Sequence, residues 1–176
     1  MPHRAQPDHP RSLLDLSDAE ILRECKTHAY RASGPGGQHR NKTSSAIRLH
    51  HGPTGLIITA TESRSQHENK ARALKRLREA VAIQFRRTAP QTIKWPDASV
   101  ISGGRLHVSR RNPHRLHILG LVLDVVAIHG GHLRESAAQL GVTSSSLTSF
   151  LADHPKAWAE ANRIRSDAGL TALKKR

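Results

Sequence analysis

Arg31-Ala32-Ser33-Gly34-Pro35-Gly36-Gly37-Gln38-His39-Arg40-Asn41-Lys42-Thr43 is a polar, cationic stretch set between two runs with strand character. The adjacent glycines at 36 and 37 permit positive φ and let a backbone approach a ligand with no Cβ in the way. A phosphate cradle of the GxxxxGK[ST] type does not fit, because Lys42-Thr43 follows Asn41 where that motif needs glycine.

Working outward, residues 26–32 read as a strand entering the glycine-rich segment. Before it, Ser17-Asp18-Ala19-Glu20 is a capping-box pattern that opens a short helix running to about Cys25. On the other side, Ser45 to His50 alternates, with Ile47 and Leu49 on one face and Ala46, Arg48 and His50 on the other. Leu56 to Thr61 is β-branched and extended, and His51-Gly52-Pro53-Thr54-Gly55 is turn chemistry, so the two runs form a hairpin. From Ser65 the period becomes helical, and Leu74, Leu77, Val81 and Phe85 make one apolar stripe. Lys70, Arg72, Lys75, Arg76, Arg78, Arg86 and Arg87 are expected on its exposed faces against Glu79 alone. A charge run on a helix is usually a solvated face, but this imbalance favours a surface turned towards RNA.

Residues 88–114 contain Pro90, Pro96, Pro113 and Gly103-Gly104, and read as a linker or irregular arm. Helical patterning resumes near Arg115, where Leu116, Leu119, Leu123 and Val126 share a face. A second helix, His132 to Leu140, is stopped by Gly141, and Thr143 or Ser144 caps a third. Pro155 opens the last helix. Leu133–Leu151 has helix-turn-helix spacing, yet its only cation is Arg134, a poor phosphate footprint for a DNA-binding regulator.

Bulk composition agrees with this division. Five aromatics in 176 residues favour two small cores over one large one. Twenty-eight Lys and Arg against 14 Asp and Glu give a net charge of +14, which favours nucleic-acid backbones through counterion release. Cys25 is alone, so no intrachain disulfide can form. Residues 1–11 read as a disordered polar arm without the apolar core of a signal peptide. Leu116 to Ile128 is interrupted by Asp124 and falls short of the ~20 residues of a membrane span. It reads as a buried helix in a soluble, cytoplasmic protein. The 13 histidines include His114-x-x-His117 and His129-x-x-His132, but without cysteine partners or an HExxH helix no metal site and no cofactor is expected.

The run 31–43 resembles the GGQ loop of class I peptide chain release factors. The resemblance continues through Ser44-Ser45-Ala46-Ile47-Arg48-Leu49, Pro53-Thr54-Gly55 and Arg64-Ser65-Gln66-His67-Glu68-Asn69-Lys70-Ala71, covering roughly residues 15–87. It implies an α+β fold: a small GGQ catalytic domain, its β-hairpin sheet packed on a basic helix, followed by a linker and a C-terminal α-helical module. The organisation expected is an arm at 1–11, the GGQ domain at 12–88, a linker at 89–114 and the module at 115–176. That module ends in the basic Lys174-Lys175-Arg176.

The resemblance makes Gly36, Gly37 and Gln38 the catalytic residues for hydrolysis of the peptidyl-tRNA ester in the peptidyl transferase centre. A water attacks the ester carbonyl, the Gln38 backbone N–H stabilises the developing charge, and its side chain helps to place the water. No carboxylate–His or Cys–His pair is required. In that family the glutamine is commonly N5-methylated, which implies Gln38 as a modification target and a glutamine methyltransferase as a partner. Arg31, Arg40, Lys42, Arg64, Lys70, Arg72, Lys75 and Arg76 are expected to contact ribosomal RNA. Full-length members also carry a stop-codon-reading domain, and neither that domain nor its P-x-T or S-P-F tripeptide is expected here. The short, codon-independent members that rescue stalled ribosomes are the nearer analogues, with the module at 115–172 docking on ribosomal RNA or tRNA. The rival reading is a non-catalytic ribosome- or RNA-binding factor.

Overall fold

The computed structural model describes residues 9–31, 44–96 and 100–174. The chain divides into two units, Met1–Val81 and Ala82–Arg176. The first opens with a 3-10 helix, Pro10–Asp15, in which proline takes a position where a missing N–H costs nothing. Arg11, the last residue of the stretch read as an arm, is buried, as is Leu13. Helix α1, Asp18–Arg23, carries the capping box expected at Ser17. Ser17 Oγ accepts from the Glu20 amide and the Glu20 carboxylate accepts from the Ser17 amide.

Strands β1 (Cys25–Tyr30), β2 (Ala46–His51) and β3 (Ile57–Ala60) form an antiparallel sheet in the order β1-β2-β3. Burial in β2 alternates from Ile47 on, with Ile47 and Leu49 inside and Arg48 exposed, but Ala46, read on the face of Arg48, is buried as well. Its last residue, His51, is buried and has two partners. Nδ1 lies 2.7 Å from Thr54 Oγ1 in the turn, and Nε2 lies 3.0 Å from Glu24 Oε2 just after α1. Helix α2 spans Gln66–Gln84 and buries Leu74, Leu77 and Val81 as the stripe requires. Phe85 falls beyond its end.

The second unit begins in the last turn of α2. Within the stretch expected as a linker, β4 (Ile101–Ser102) and β5 (Arg105–Leu106) form a hairpin. Gly103 and Gly104 have φ of 56° and 70°, the two positive values a primed two-residue turn needs. Ala89, Val100 and Leu106 join the apolar core. Around them stand helices α3 (Arg115–Ile128), α4 (Leu133–Leu140), α5 (Ser144–Ala152) and α6 (Pro155–Asp167).

Helix α3 is the centre of this unit. It buries Ile118, Leu119, Val122, Leu123, Val125 and Val126, which lie on nearly every side of the helix rather than on one face. Its single acidic residue, Asp124, accepts from the Arg87 amide at 3.0 Å and lies 3.7 Å from the Arg86 guanidinium. Arg86 also reaches Glu160 at 3.4 Å, so it is a partly buried structural cation and not the solvated one its position in the charge run suggests. Gly141, in the left-handed region, ends α4. The Thr143 hydroxyl accepts from the Ser146 amide to start α5. Among the described residues no helix is long and apolar enough to cross a membrane.

Candidate functional site

The glycine-rich stretch joins two neighbouring antiparallel strands, with Tyr30 opposite Ala46 and Ala29 opposite Ile47. Pairing up to that point brings the two ends of the connection together at one edge of the first unit. Gly36, Gly37, Gln38, Arg40 and Lys42 lie outside the described residues; the ends that carry them are described.

The downstream end is held by helix α2. Gln66 Nε2 donates to the Ser44 carbonyl at 2.6 Å, and Asn69 Nδ2 donates to the Ser45 carbonyl at 2.7 Å. Asn69 is fully buried and also ties down Ser63, donating to its carbonyl at 2.8 Å and accepting from its amide at 2.9 Å. All three polar functions of one buried side chain are thereby used. These contacts give the Arg64–Ala71 run a physical role. Gln66 and Asn69 position the root of the loop, and neither was among the residues expected to form the site. A signal was available, because an asparagine four residues into a helix is unfavourable unless its amide has local work to do.

The upstream end bears cations. Arg31 is exposed, and the Arg48 guanidinium stands 5.0 Å from the centre of the Tyr30 ring. Arg64, Arg72 and Lys75 are exposed and Lys70 is half-buried. The side chains of these four have no hydrogen bond or ion pair among the described residues. Arg76 is differently engaged: it donates to the Thr59 carbonyl at 2.6 Å and pairs with Glu62, tying β3 to α2. The hydrogen bond from Arg76 holds the Glu62 carboxyl below its usual range. Arg78 donates to the carbonyls of Leu13, Leu14 and Leu16 and to Asp18, closing the end of the 3-10 helix. Of the seven cations expected on exposed faces, Arg76, Arg78 and Arg86 are therefore committed to partners within the protein.

The chemistry available at the loop root is that of a polar connection with cations around its base. Cys25, on the same sheet, is not an activated thiol: burial, and then the neighbouring Glu24 charge, push it up to about 11. Among the described residues no three His, Cys, Asp or Glu side chains are grouped to hold a metal ion. One expectation fails on the sequence itself. Pro90-Gln91-Thr92 has the P-x-T form, in a segment where the Pro90 carbonyl accepts from Gln139 Nε2 at 2.9 Å.

The chain is similar to known proteins across this region. The family model of the RF-1 domain matches residues 18–111. Peptide chain release factor 1 of Rickettsia typhi is 35% identical over 117 residues, which cover 61% of this chain and 33% of that protein. Peptide chain release factor 2 of Paramagnetospirillum magneticum is 47% identical over 106 residues, covering 58% and 29%. Peptide chain release factor 1 of Leptothrix cholodnii is 37% identical over 148 residues, covering 72% and 39%. The chain thus spans well under half the length of these relatives, and helices α3 to α6 follow the matched region. With more than half of its residues inside the match, from α1 through the β4–β5 hairpin, the chain belongs to the RF-1 domain family.

Proposed function

We propose that this chain is a ribosome-dependent peptidyl-tRNA hydrolase that releases nascent peptide from stalled ribosomes without reading a codon. The observation that carries the reading is Gly36-Gly37-Gln38 in the connection between paired strands, inside the region matched by the RF-1 domain. The names of the relatives, peptide chain release factors, support the same reaction.

In this mechanism water adds to the ester carbonyl that joins the peptide to the terminal ribose of tRNA. Collapse returns the electron pair to the ribose oxygen, which takes a proton, and leaves the peptide as its carboxylate. The paired glycines let the Gln38 backbone N–H aim at the oxyanion, a contribution of about 3 kcal/mol for one such donor. The Gln38 side chain places the water and adds no charge to be desolvated among RNA bases. Gln66 and Asn69 supply the fixed base from which the loop reaches. Arg31, Arg64, Lys70, Arg72 and Lys75, together with Arg40 and Lys42, contact large-subunit RNA phosphates. The partners are the ribosome and peptidyl-tRNA, with a glutamine methyltransferase acting on Gln38, in the cytoplasm. The proposed organisation is a GGQ domain at 12–88 and a helical module at 115–176.

The test is release of labelled peptide from purified ribosomal complexes by the wild-type chain and by Gly37→Ala. The complexes carry an mRNA truncated at the P site, a sense codon in the A site, or a stop codon. Isolated large subunits bearing peptidyl-tRNA form a fourth substrate. Release from the first two, reduced on the order of 100-fold in the variant, is the expected result. Release confined to stop codons would replace rescue with codon-directed termination, and would turn attention to Pro90-Gln91-Thr92. Tight ribosome binding without release from any complex would make the chain a non-catalytic factor.

A further inference from the structure

We propose that the second unit carries an RNA-docking surface of its own, where the arginines of residues 105–115 lie along helix α5. The proposal extends the function above and rests on its RNA target. Helix α5 has no charged residue between Ser144 and Ala152, so the sequence of the α4–α5 pair offers little to a phosphate backbone. The fold brings the missing charge from elsewhere.

The chain from Gly104 to Arg115 follows α5 from its start to its end. The Gly104 carbonyl accepts from the Thr143 amide at 2.8 Å, before the first turn. The Leu106 amide donates to Ser146 Oγ at 2.8 Å, in that turn. Arg110 and Arg115 then both reach the Asp153 carboxylate, at 2.6 and 2.8 Å, just past the last turn. Between positions 105 and 115 there are four arginines and no acidic residue. Asp153 neutralises one charge of the pair it bridges. Arg105 and Arg111 are exposed and their side chains have no hydrogen bond or ion pair among the described residues.

The direction of these cations follows from the strand they stand on. Leu106 is buried in the core, so its neighbours Arg105 and His107 project to the opposite side, and both are exposed. At α5 the apolar face of Leu147, Phe150 and Leu151 is buried, leaving Ser145 and Ser149 exposed one turn apart. The groove on that outer face, about 470 Å³, is closed on its far side by Leu173 and the exposed Lys174. Hydroxyls and Lys174 thus line a groove on the same helix whose start and end are bonded to the arginine-bearing segment.

This chemistry selects its partner. Unneutralised guanidinium groups bind phosphate oxygens through charge and paired donors. The exposed serine hydroxyls of α5 can donate to phosphate or exchange hydrogen bonds with a ribose 2′-hydroxyl, the group that separates RNA from DNA. The occupant is the sugar–phosphate backbone of a structured RNA, bound largely without regard to base sequence.

The experiment measures binding of the full chain to a fluorescent RNA hairpin, and to a DNA hairpin of the same sequence, between 50 and 200 mM salt. Arg105→Gln/Arg111→Gln is compared with wild type and with Arg72→Gln/Lys75→Gln on α2. Loss of two phosphate contacts should flatten the plot of log K against log salt by about 1.5. Thermal unfolding should be unchanged, because both side chains are exposed and unbonded. Lys174→Gln should remove a further contact of the same kind. An unchanged slope in Arg105→Gln/Arg111→Gln overturns the surface, as does equal affinity for the DNA hairpin or competition by polyglutamate as strong as by RNA. Peptide release is measured on the same proteins. Release by wild type with an unchanged slope removes the docking surface and leaves the hydrolase. A flattened slope without release from any ribosomal complex removes the hydrolase and leaves the surface.

Discussion

Asn69, fully buried four residues into helix α2, donates its side-chain amide to the carbonyl of Ser45 at 2.7 Å and so fixes the residue at which the glycine-rich loop rejoins the sheet. The same side chain satisfies the Ser63 amide and carbonyl at the end of the β3–α2 connection. One residue thereby joins the loop root, the strand edge and the helix.

Asn69→Ala should destabilise the chain by about 3 kcal/mol, because it leaves a buried amide and two carbonyls without partners. Asn69→Asp tests the donors separately. It keeps an acceptor for the Ser63 amide but sets an oxygen against the carbonyls of Ser45 and Ser63, and should be no more stable than the alanine variant. Urea unfolding followed by circular dichroism reads both. A loss below 1 kcal/mol in either variant would show that the loop root is held by other contacts.

Much of the frame was legible in the residues because its signals are local. The capping box at Ser17, the period-two burial around Ile47 and Leu49, the Leu74–Leu77–Val81 stripe and the Gly141 stop each depend on neighbours within a turn or two. The unread parts depend on distant partners. Arg78 meets carbonyls more than sixty positions away, and Arg86 meets Glu160 across 74. A charge that ends in such a bond looks the same in sequence as one facing water. The β4–β5 hairpin is a different case. Gly103-Gly104 between Ile101-Ser102 and Arg105-Leu106 was a two-residue turn signal, hidden because each strand is only two residues long. At the site, Gly36, Gly37 and Gln38 were read through resemblance; Asn69 carried a local signal, but the carbonyls that Gln66 and Asn69 anchor needed coordinates.

Gly131 should not tolerate a side chain. Its φ is 82°, and a Cβ there would stand 2.5 Å from Arg165 Cγ and 3.0 Å from Arg165 Cα on α6. Arg165 Cγ could swing away, but the backbone of α6 cannot, and Arg165 Nη1 already donates to the Gly131 carbonyl at 2.6 Å. Gly131→Ala combines left-handed strain with overpacking and should cost about 3 kcal/mol. Gly103→Ala is the control, with positive φ but open space around it, and should cost about 1 kcal/mol. Equal losses in thermal unfolding would mean that α6 yields at this contact.

Cys25 should react slowly with thiol reagents. Burial and the Glu24 charge push its thiol from an ordinary 9.0 up to about 11, so its thiolate fraction near pH 8 falls on the order of 100-fold. Iodoacetamide labelling followed by mass spectrometry should therefore be far slower in the native chain than in urea. Glu24→Gln removes the smaller of the two causes and should speed native labelling only in part. Native labelling as fast as in urea would mean that β1 opens readily.

Acid should weaken the second unit through its carboxylates. Asp153 is held below the usual carboxylate range by the hydrogen bond from Arg110, against an opposing effect of burial and with help from Arg115. At Glu160 burial pushes upward, but Arg163 and Arg86 outweigh it and hold the group low. A carboxyl with a lower pKa folded than unfolded adds stability above its unfolded value. That stability drains away as pH falls through the folded value. The loss should therefore begin near the ordinary 4.5 and 3.8 of these groups and continue below them. Asp153→Asn should melt below wild type at pH 7, and the two melting curves should converge as pH drops towards 3. Parallel curves across that range would mean that Asp153 is no better held folded than unfolded. Arg110 and Arg115 would then owe their places beside α5 to packing alone.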